Sequence, residues 1–351
     1  MTPMTVKPSS TVPVSEMPLS DGSPNSVAFV TVTPEDIFAE APSVDELRRA
    51  STPISGPGRI IWPYAIVVFG LHALSLLALW PWLFSWTGVV AMFVGLYFFG
   101  GLGVNMCYHR LLAHRSFACA PWFERVLVYI GLCCMQDAPG RWVAAHRIHH
   151  CFSDEAPDPH SPIGNFIWGH VGWMLVDKHG LNKIANYERY ARDLLRQPFY
   201  LNLERKGVPI LVYLGHALLF FLIGMAIGFG LEGTVIGGVQ LGLSLLVWGV
   251  IVRTVLVWHV TWSVNSLSHL FGYRNYETSE HSRNNWLVAL ITSGEGWHNN
   301  HHADPASASN QRKWWEFDLI YYNILALEKI GLVWNIVEPR QNRIASRTKS
   351  D

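Results

Sequence analysis

Charged residues are scarce in this chain of 351 residues: 15% are Asp, Glu, Lys or Arg, and 26 basic residues balance 26 acidic ones. No basic run is present, so nothing electrostatic favours a nucleic-acid partner. Half of the residues are apolar, and the mean hydropathy is +0.19. The composition therefore argues against nucleic-acid binding and indicates a membrane protein.

Motifs that would form disulfides or carry electrons are also lacking. The five cysteines show neither CxxC spacing nor the pattern of a secreted scaffold, and we interpret them as reduced thiols. The sequence has no Gly-rich dinucleotide fingerprint after a strand and no fused cytochrome b5, ferredoxin or flavin motif. A redox reaction in this protein would therefore depend on a separate electron carrier.

Two polar segments flank the apolar part of the chain. Residues 1–57 are rich in Ser, Thr and Pro and have no apolar periodicity, which predicts a disordered tail. Residues 339–351 are predicted to be a polar C-terminal tail. A single membrane domain is expected between them, at residues 58–338.

Four uncharged apolar stretches are present, and each is close to the roughly 20 residues needed to cross a bilayer. They are residues 60–82, 87–108, 208–231 and 234–252. Very short connectors join the first stretch to the second and the third to the fourth, which predicts two hairpins. Core helices of a large soluble protein are the alternative interpretation, but uncharged runs of this length argue against it.

Lys and Arg are absent from both short connectors and lie on the other side of the predicted hairpins. The positive-inside rule therefore predicts an integral, multi-pass protein with both termini cytoplasmic. Residues 109–207 and 259–338 would form a cytoplasmic cap, in which the short apolar run 126–135 is buried or interfacial. The predicted fold class is an all-α membrane protein with four transmembrane helices and a helical cap.

Histidine is abundant, and eight of the 16 histidines fall into three short clusters, HRLLAHRSF, HRIHHCFSD and GEGWHNNHH. The clusters contain His109 and His114; His146, His149 and His150; and His298, His301 and His302. Helical residues three or four apart share a face, so the second and third clusters can each direct imidazoles to one place. The residues of the first pair lie about 140° apart on a regular helix, so a break is expected near Leu112.

These clusters predict metal binding on the cytoplasmic side. Neutral imidazole suits iron, zinc and copper, and eight such ligands are too many for one ion, so two metal ions are predicted. Glu295 with His298 is the only Glu-x-x-His pair, which argues against a carboxylate-bridged site in a four-helix bundle. Structural zinc is disfavoured because no cysteine pair accompanies the histidines.

The chain also contains longer motifs, namely GVNMCYHRLLAHRSF, WVAAHRIHHCFSDEAPDPH, GHVGWML, HVTWSVNSLSHLFGYRNYE and GEGWHNNHH. At these motifs the sequence resembles the membrane-bound acyl desaturases, specifically the delta-9 group of stearoyl-CoA desaturases and cyanobacterial acyl-lipid enzymes. The resemblance runs from about Trp62 to Trp334. It implies a histidine-ligated di-iron site in which His269 is a ninth ligand and Asn265 contacts the metal site through water.

The resemblance also implies how the ligands divide between the two irons. One iron would be held by His109, His114, His150, His298 and His302. The other would be held by His146, His149, His269 and His301. His160 and His170 are interpreted as structural residues that pack around the ligands.

The activity that the resemblance implies is O2-dependent insertion of a cis double bond, at the delta-9 position, into a saturated fatty acyl chain. Gln136, Trp142 and Thr261 match family positions that line the bend of the substrate tunnel. Animal acyl-CoA desaturases carry an Arg-Asp pair before HxxHH that contacts CoA, whereas this chain has Ala144 and Ala145. The carrier of the acyl chain is therefore left open between CoA, a membrane lipid and a carrier protein.

The electron donor is expected to be an external carrier of the ferredoxin or cytochrome b5 type. Arg110, Arg115 and Arg147 are expected to be exposed and to offer it a docking surface. Two other functions use the same histidines: a di-iron hydroxylase or ketolase, and a histidine-based metal transporter. Transport sites belong near the bilayer midplane, whereas these clusters lie outside the predicted spans, which disfavours the transporter.

Overall fold

The structure is a computed structural model that describes residues 58–155, 157–178, 183–205 and 207–347. The described chain is mostly helical. In chain order its α-helices are α1 Trp62–Ser75, α2 Trp86–Gly95, α3 Pro121–Leu132, α4 Pro139–Phe152, α5 Trp173–Leu175, α6 Ile184–Tyr187, α7 Arg192–Leu195, α8 Pro198–Leu203, α9 Val208–Glu232, α10 Val235–Ser244, α11 Arg253–Leu270, α12 Trp286–Thr292, α13 His298–Ala303, α14 Leu319–Lys329 and α15 Arg340–Arg347.

Four helical stretches are long and apolar enough to cross a membrane: Trp62–Leu79, Trp86–Ala113, Val208–Glu232 and Val235–Leu270. The prediction of four such helices is confirmed. The second and fourth run beyond the predicted ends at residues 108 and 252, since each helix continues without interruption into the polar segment that carries its metal-ligand candidates.

Hydroxyl side chains begin the second and fourth long helices. Ser85 Oγ accepts a hydrogen bond from the Gly88 amide at 2.9 Å, and Thr234 Oγ1 accepts one from the Gly237 amide at 3.1 Å. Such N-caps satisfy amides that a helix start leaves without a partner. Gly233, which ends α9, has φ +67°, a left-handed conformation that allows the chain to reverse.

The third and fourth long helices approach closely through glycines. A Cβ atom at Gly224 would lie 2.8 Å from the Gly242 Cα atom, and one at Gly228 would lie 2.4 Å from the Gly237 carbonyl oxygen. Residues early in α10 thus meet residues late in α9, so the two helices run antiparallel. Small residues at such crossings let helix backbones pack directly against one another.

The C-terminal part of the second long helix is a π-helix, Leu96–Ala113. The helix continues through Leu112 as a π-helix and ends one residue later, at Ala113, close to the break that the sequence predicted. The fourth long helix also has a π segment, Leu245–Val252, between α10 and α11. The first segment contains His109 and the second precedes His269, and π-helical stretches are frequent at functional sites.

The remaining elements form a compact layer around these helix ends. Helices α3 and α4 each begin with proline, which is suited to the first turn of a helix. Two-residue antiparallel pairs tie distant segments together: Arg59–Ile60 with Val176–Asp177, and Ala118–Cys119 with Val333–Trp334. The main core lies between the π-helix, α3 and α14, and includes Leu112, Leu132 and Ile320.

Two predicted segments lie partly or wholly outside the described residues. The tail predicted at residues 1–57 is outside them. In the C-terminal tail, Arg340–Arg347 form helix α15, and residues 348–351 are outside. All five cysteines are unpaired, as interpreted from the sequence.

Candidate metal centre

Nine histidines converge on two neighbouring places, and within each place the ligand nitrogens all lie within 4.8 Å of one another. We call these places the five-histidine locus and the four-histidine locus. The first consists of His109, His114, His146, His150 and His301, and the second of His149, His269, His298 and His302. The nine are the same histidines that the sequence and the resemblance singled out.

The π-helix brings the first pair together. The His114 amide donates to the His109 carbonyl oxygen at 3.1 Å, a bond that spans five residues, and the two rings lie 4.8 Å apart. A five-residue repeat places the second imidazole nearly above the first, which a regular helix cannot do. The expectation that the helix must distort here is thus met by a change of helix type.

The division of ligands implied by the resemblance is wrong in four positions. His146 and His301 belong to the five-histidine locus, whereas His298 and His302 belong to the four-histidine locus. The reason lies in helix geometry: residues four apart share a face, so His146 joins His150, while the neighbouring residue turns to the other locus. In the same way His298 stays with His302, and His301 faces away from both.

Carboxylates contact the outer nitrogen, Nδ1, of four of the histidines. The pairs are His109–Glu295, His149–Asp158 and His269–Asp154, each at 2.9 Å, and His302–Glu280 at 3.8 Å. An imidazole that donates its Nδ1 hydrogen to a carboxylate presents the lone pair of Nε2 to the opposite side. The three carboxylates at 2.9 Å therefore fix the tautomer in which Nε2 faces the locus.

The Nε2 atoms of these histidines face one another, and the histidines alone do not stabilise this arrangement. His109 Nε2 lies 3.1 Å from His301 Nε2, and His269 Nε2 lies 3.1 Å from His298 Nε2. With the hydrogens on Nδ1, opposed lone pairs repel unless a cation lies between them. Neighbouring ligands of one ion with bonds of about 2.1 Å are separated by similar distances, so the residues fit a histidine-bound metal.

The protonation state of the cluster also suits metal binding. Burial, reinforced by the neighbouring imidazoles, lowers the pKa of seven of these side chains well below the usual histidine range; they are His114, His146, His149, His150, His298, His301 and His302. Neutral imidazoles with free lone pairs are the form that binds metal ions.

Arg110 and Arg147 are not the exposed docking residues that the sequence suggested. Both are buried, at 1% and 3% exposure. Arg110 donates to Glu295 at 2.8 Å and to Asp318 at 2.9 Å. Burial favours a protonated Glu295, but Arg110 and His109 outweigh it and lower the pKa of this carboxyl to about 2. These arginines are buried because they balance carboxylates inside the cap.

Arg115 is likewise occupied, since it pairs with Asp193 at 2.7 Å and its side chain is only 22% exposed. The docking-surface expectation is therefore wrong for all three arginines. Of the two histidines interpreted as structural, His160 stacks near His149 with ring centres 4.4 Å apart, and His170 bonds to Ser266 at 2.9 Å.

Asn265 lies one helical turn before His269 on α11 and is half-buried. Its side-chain amide forms no hydrogen bond with another residue in the described part of the chain. Its amide is therefore available for a water-mediated contact with the four-histidine locus, and this role stays a prediction.

The three predicted substrate contacts form one hydrogen-bonded chain. Trp142 Nε1 donates to Gln136 Oε1 at 3.2 Å, and Gln136 Nε2 donates to Thr261 Oγ1 at 2.7 Å. The Trp142 ring stacks on the His146 ring at 5.2 Å, which places the chain directly beside the five-histidine locus. Thr261 also lines a cavity between the π-helix and α11, together with Gly100, Gly101 and Val257.

Sequence reasoning missed the carboxylates that orient the histidines. Glu295 lies inside GEGWHNNHH, and Asp154 and Asp158 lie four and eight positions after the end of HxxHH. Acidic residues within or just after a histidine cluster were the available signal, because ligand histidines commonly donate to a carboxylate. Glu280 had no such signal, since it lies in a separate loop.

Comparison with known proteins identifies the family. The family model described as fatty acid desaturase matches residues 80–335. An sn-1 stearoyl-lipid 9-desaturase of Synechocystis sp. is 37% identical over 286 residues, which cover 82% of this chain and 83% of the relative. An sn-1 stearoyl-lipid 9-desaturase of Anabaena variabilis is 39% identical over 278 residues, which cover 79% of this chain and 94% of the relative.

An acyl-CoA 5-desaturase of Anemone leveillei is 40% identical over 278 residues, which cover 79% of this chain and 80% of the relative. Among these matches, the family model spans three of the four long apolar helices and all nine converging histidines. They confirm the resemblance inferred from the sequence motifs. The chain therefore belongs to the fatty acid desaturase family of oxidoreductases.

Proposed function

We propose that this desaturase uses two iron ions and O2 to insert a cis double bond at the delta-9 position of a saturated acyl chain carried on a membrane lipid. The observation that carries the proposal is the convergence of nine imidazoles on two loci beside the chain Trp142–Gln136–Thr261. The nine histidines would hold the irons, and Asn265 would contact the four-histidine locus through water.

The reaction needs an oxidant because an unactivated methylene has neither an acidic proton nor a leaving group. When bound, the irons supply the redox chemistry with O2 by which two hydrogen atoms leave neighbouring carbons. The residues of this chain then have two tasks: to hold the ligands in one tautomer and to position one pair of carbons. The carboxylates at Nδ1 perform the first task.

The second task falls to the residues beside the cavity. Gln136 and Thr261 satisfy each other's polar groups, as do Gln136 and Trp142, so an apolar chain can pass without leaving a buried donor unpaired. Gly100 and Gly101 line the small cavity beside Thr261, where we propose that such a chain passes. We propose that the bend at these three side chains selects the carbons that react.

The proposed placement in the membrane follows the four long apolar helices. The termini, the cap and both histidine loci would be cytoplasmic, as the distribution of Lys and Arg predicts. A separate carrier of the ferredoxin or cytochrome b5 type would supply electrons. Since Arg110, Arg115 and Arg147 are engaged in internal ion pairs, it would dock through other residues.

A lipid-linked substrate is favoured by the position of Ala144 and Ala145. Both are buried, at 0% and 5% exposure, in an apolar cluster with Tyr187 and Leu195. The place where animal acyl-CoA desaturases present a charged pair to CoA is thus a packed interior surface here. Two of the relatives described above are named as acyl-lipid 9-desaturases and one as an acyl-CoA desaturase.

The proposal is tested in a host that lacks its own desaturase and supplies a competent electron donor. The intact chain is expected to produce delta-9 cis monoenes that appear first in membrane lipids, whereas His301→Ala produces none. Gly230→Ala is the matched control, because a side chain at Gly230 meets nothing within 4 Å. Monoenes that appear first in the CoA pool would exclude the lipid-linked substrate, and hydroxylated chains without monoenes would exclude desaturation.

A further inference from the structure

The carboxylates around the two loci are distributed unequally. Three contact the outer nitrogens of the four-histidine locus, namely Asp154, Asp158 and Glu280. One, Glu295, contacts the five-histidine locus. The locus with fewer histidines is therefore the one with more acidic groups around it.

The positively charged side chains near these carboxylates increase the difference in negative charge between the two loci. Glu295 receives hydrogen bonds from Arg110 at 3.0 and 2.8 Å, so an arginine offsets its charge. Within the described part of the chain, neither Asp154, Asp158 nor Glu280 forms an ion pair with Arg or Lys. The nearest further ionisable group is the exposed His281 imidazole, 3.5 Å from Asp154.

Two of the three carboxylates, Asp154 and Asp158, lie close together in the sequence after α4. Asp158 Oδ2 accepts from the Asp154 amide at 2.9 Å, and Asp158 Oδ1 accepts from the His160 amide at 3.0 Å. Ser161 Oγ donates to Asp154 Oδ1 at 2.9 Å. These bonds hold both carboxylates in position without a cation, so their charge stays directed at His149 and His269.

From this asymmetry we propose that the four-histidine locus binds its metal ion more tightly than the five-histidine locus and fills first, although it has one histidine fewer. The inference rests on the proposed function, because it takes both loci to bind metal. Uncompensated negative charge close to a buried cation is attractive at low dielectric. Carboxylates behind ligand histidines typically change metal affinity by about 10- to 100-fold.

Metal release from the purified full-length protein tests the order of affinity. Protein loaded with two Fe²⁺ is placed against increasing concentrations of a chelator, and iron per chain is measured by mass spectrometry. The intact chain is expected to lose iron in two steps. Asp158→Asn should lower the affinity for the more tightly bound iron by about 10- to 100-fold and leave the affinity for the other iron unchanged. Glu295→Gln should lower only the affinity for the more weakly bound iron.

Spectroscopy assigns each step to a locus. After one equivalent of isotopically enriched Fe²⁺, the Mössbauer spectrum should contain one dominant doublet that persists in His114→Ala and is lost in His298→Ala. Glu280→Gln provides a second test if Asp158→Asn fails to fold, because the Glu280 carboxylate is 3.8 Å from His302 and its loss disturbs less. It should weaken the tighter step to a smaller degree.

Three outcomes overturn the inference. The two irons leave with one common affinity, or Glu295→Gln weakens the tighter step, or the dominant doublet is lost in His114→Ala instead. An intact chain that makes monoenes and shows any of these overturns this inference alone. An intact, folded chain that binds no iron under any condition overturns the proposed function as well.

Discussion

At the scale of single residues, Arg147 connects three parts of the cap. Its guanidinium donates to the Leu112 carbonyl at 2.8 Å and to the Ala113 carbonyl at 3.0 Å, at the end of the π-helix. It also pairs with Asp193 at 2.7 Å. Because it lies between His146 and His149 on α4, it fixes one ligand-bearing helix against the end of another.

We therefore expect Arg147→Met to destabilise the protein by about 3 kcal/mol, because it leaves buried carbonyls unpaired and removes one of the two cations at Asp193. The variant should also hold less iron per chain. Thermal unfolding in detergent and metal analysis measure both effects. Arg125→Met is the matched control: Arg125 is exposed and lies over the Phe199 ring, so its loss should cost under about 1 kcal/mol. Equal stability of the two variants would contradict the role of Arg147.

Glu204 provides a prediction about pH. Burial raises the pKa of this carboxyl to about 7, although Tyr187 donates to it and the Gly140 amide lies 2.7 Å from it. Because the pKa of this carboxyl is higher in the folded than in the unfolded state, its contribution to stability is fully present below about pH 4.5 and is lost as pH rises through 7. The carboxylate form is thus the unfavourable one in the fold.

Glu204→Gln should remove this pH dependence. Relative to the intact chain, the variant should gain about 1.4 kcal/mol per pH unit as pH rises toward 7 and gain no more above it. The difference in unfolding temperature between the two proteins, measured from pH 5.5 to 8.5, checks the sign. A difference that is constant with pH, or that favours the intact chain at high pH, would be inconsistent with a raised pKa.

Residue spacing made the histidines predictable but not their partners. His146, His149 and His150 are local in sequence, so helical geometry alone brings them together. Glu280 and His302 are 22 positions apart in the sequence, and no periodicity encodes their contact. Arg110 looked exposed because arginine usually is, whereas its acidic partner Glu295 lies 185 positions away.

At the scale of elements, apolar runs predicted the long helices but not their true ends. The helices continue past residues 108 and 252 because polar residues there pack inside the cap instead of meeting water or lipid. The π-helix was not predictable as such, since hydrophobic periodicity does not distinguish a five-residue repeat from a short distortion. Only the need for His109 and His114 to converge indicated that the helix was irregular.

The crossing of α9 and α10 gives a prediction with a control in the same helix. A side chain at Gly224 would lie 2.8 Å from the Gly242 Cα atom, whereas one at Gly230 meets nothing within 4 Å. Gly224→Leu should therefore force the helices apart and destabilise the protein by about 1–3 kcal/mol or more. Gly230→Leu should be neutral or slightly stabilising, because leucine is the better helix former. Equal unfolding temperatures for the two variants would show that the close crossing is not formed.

At the scale of the whole molecule, the fold separates an apolar part from a polar one. The outer faces of the long helices expose large apolar residues such as Phe69, Leu211 and Leu231, whereas the histidine loci lie where these helices extend into the cap. The candidate metal ligands therefore come from both parts: His109 and His269 from the long helices, and the rest from the cap. Such a site forms only when both parts are folded together.

The proposed orientation predicts that the two ends of this fold lie on opposite sides of the membrane. Glu277 is exposed in the cap and Glu232 is exposed at the reversal between α9 and α10. All five native cysteines are buried or half-buried, so an impermeant maleimide should label the intact chain weakly. In sealed inside-out vesicles, Glu277→Cys should be labelled and Glu232→Cys should stay protected until detergent is added, with the reverse result in right-side-out vesicles. Labelling of both variants from the same side would contradict the two-hairpin arrangement, because Glu232 and the cap would then share one face of the bilayer.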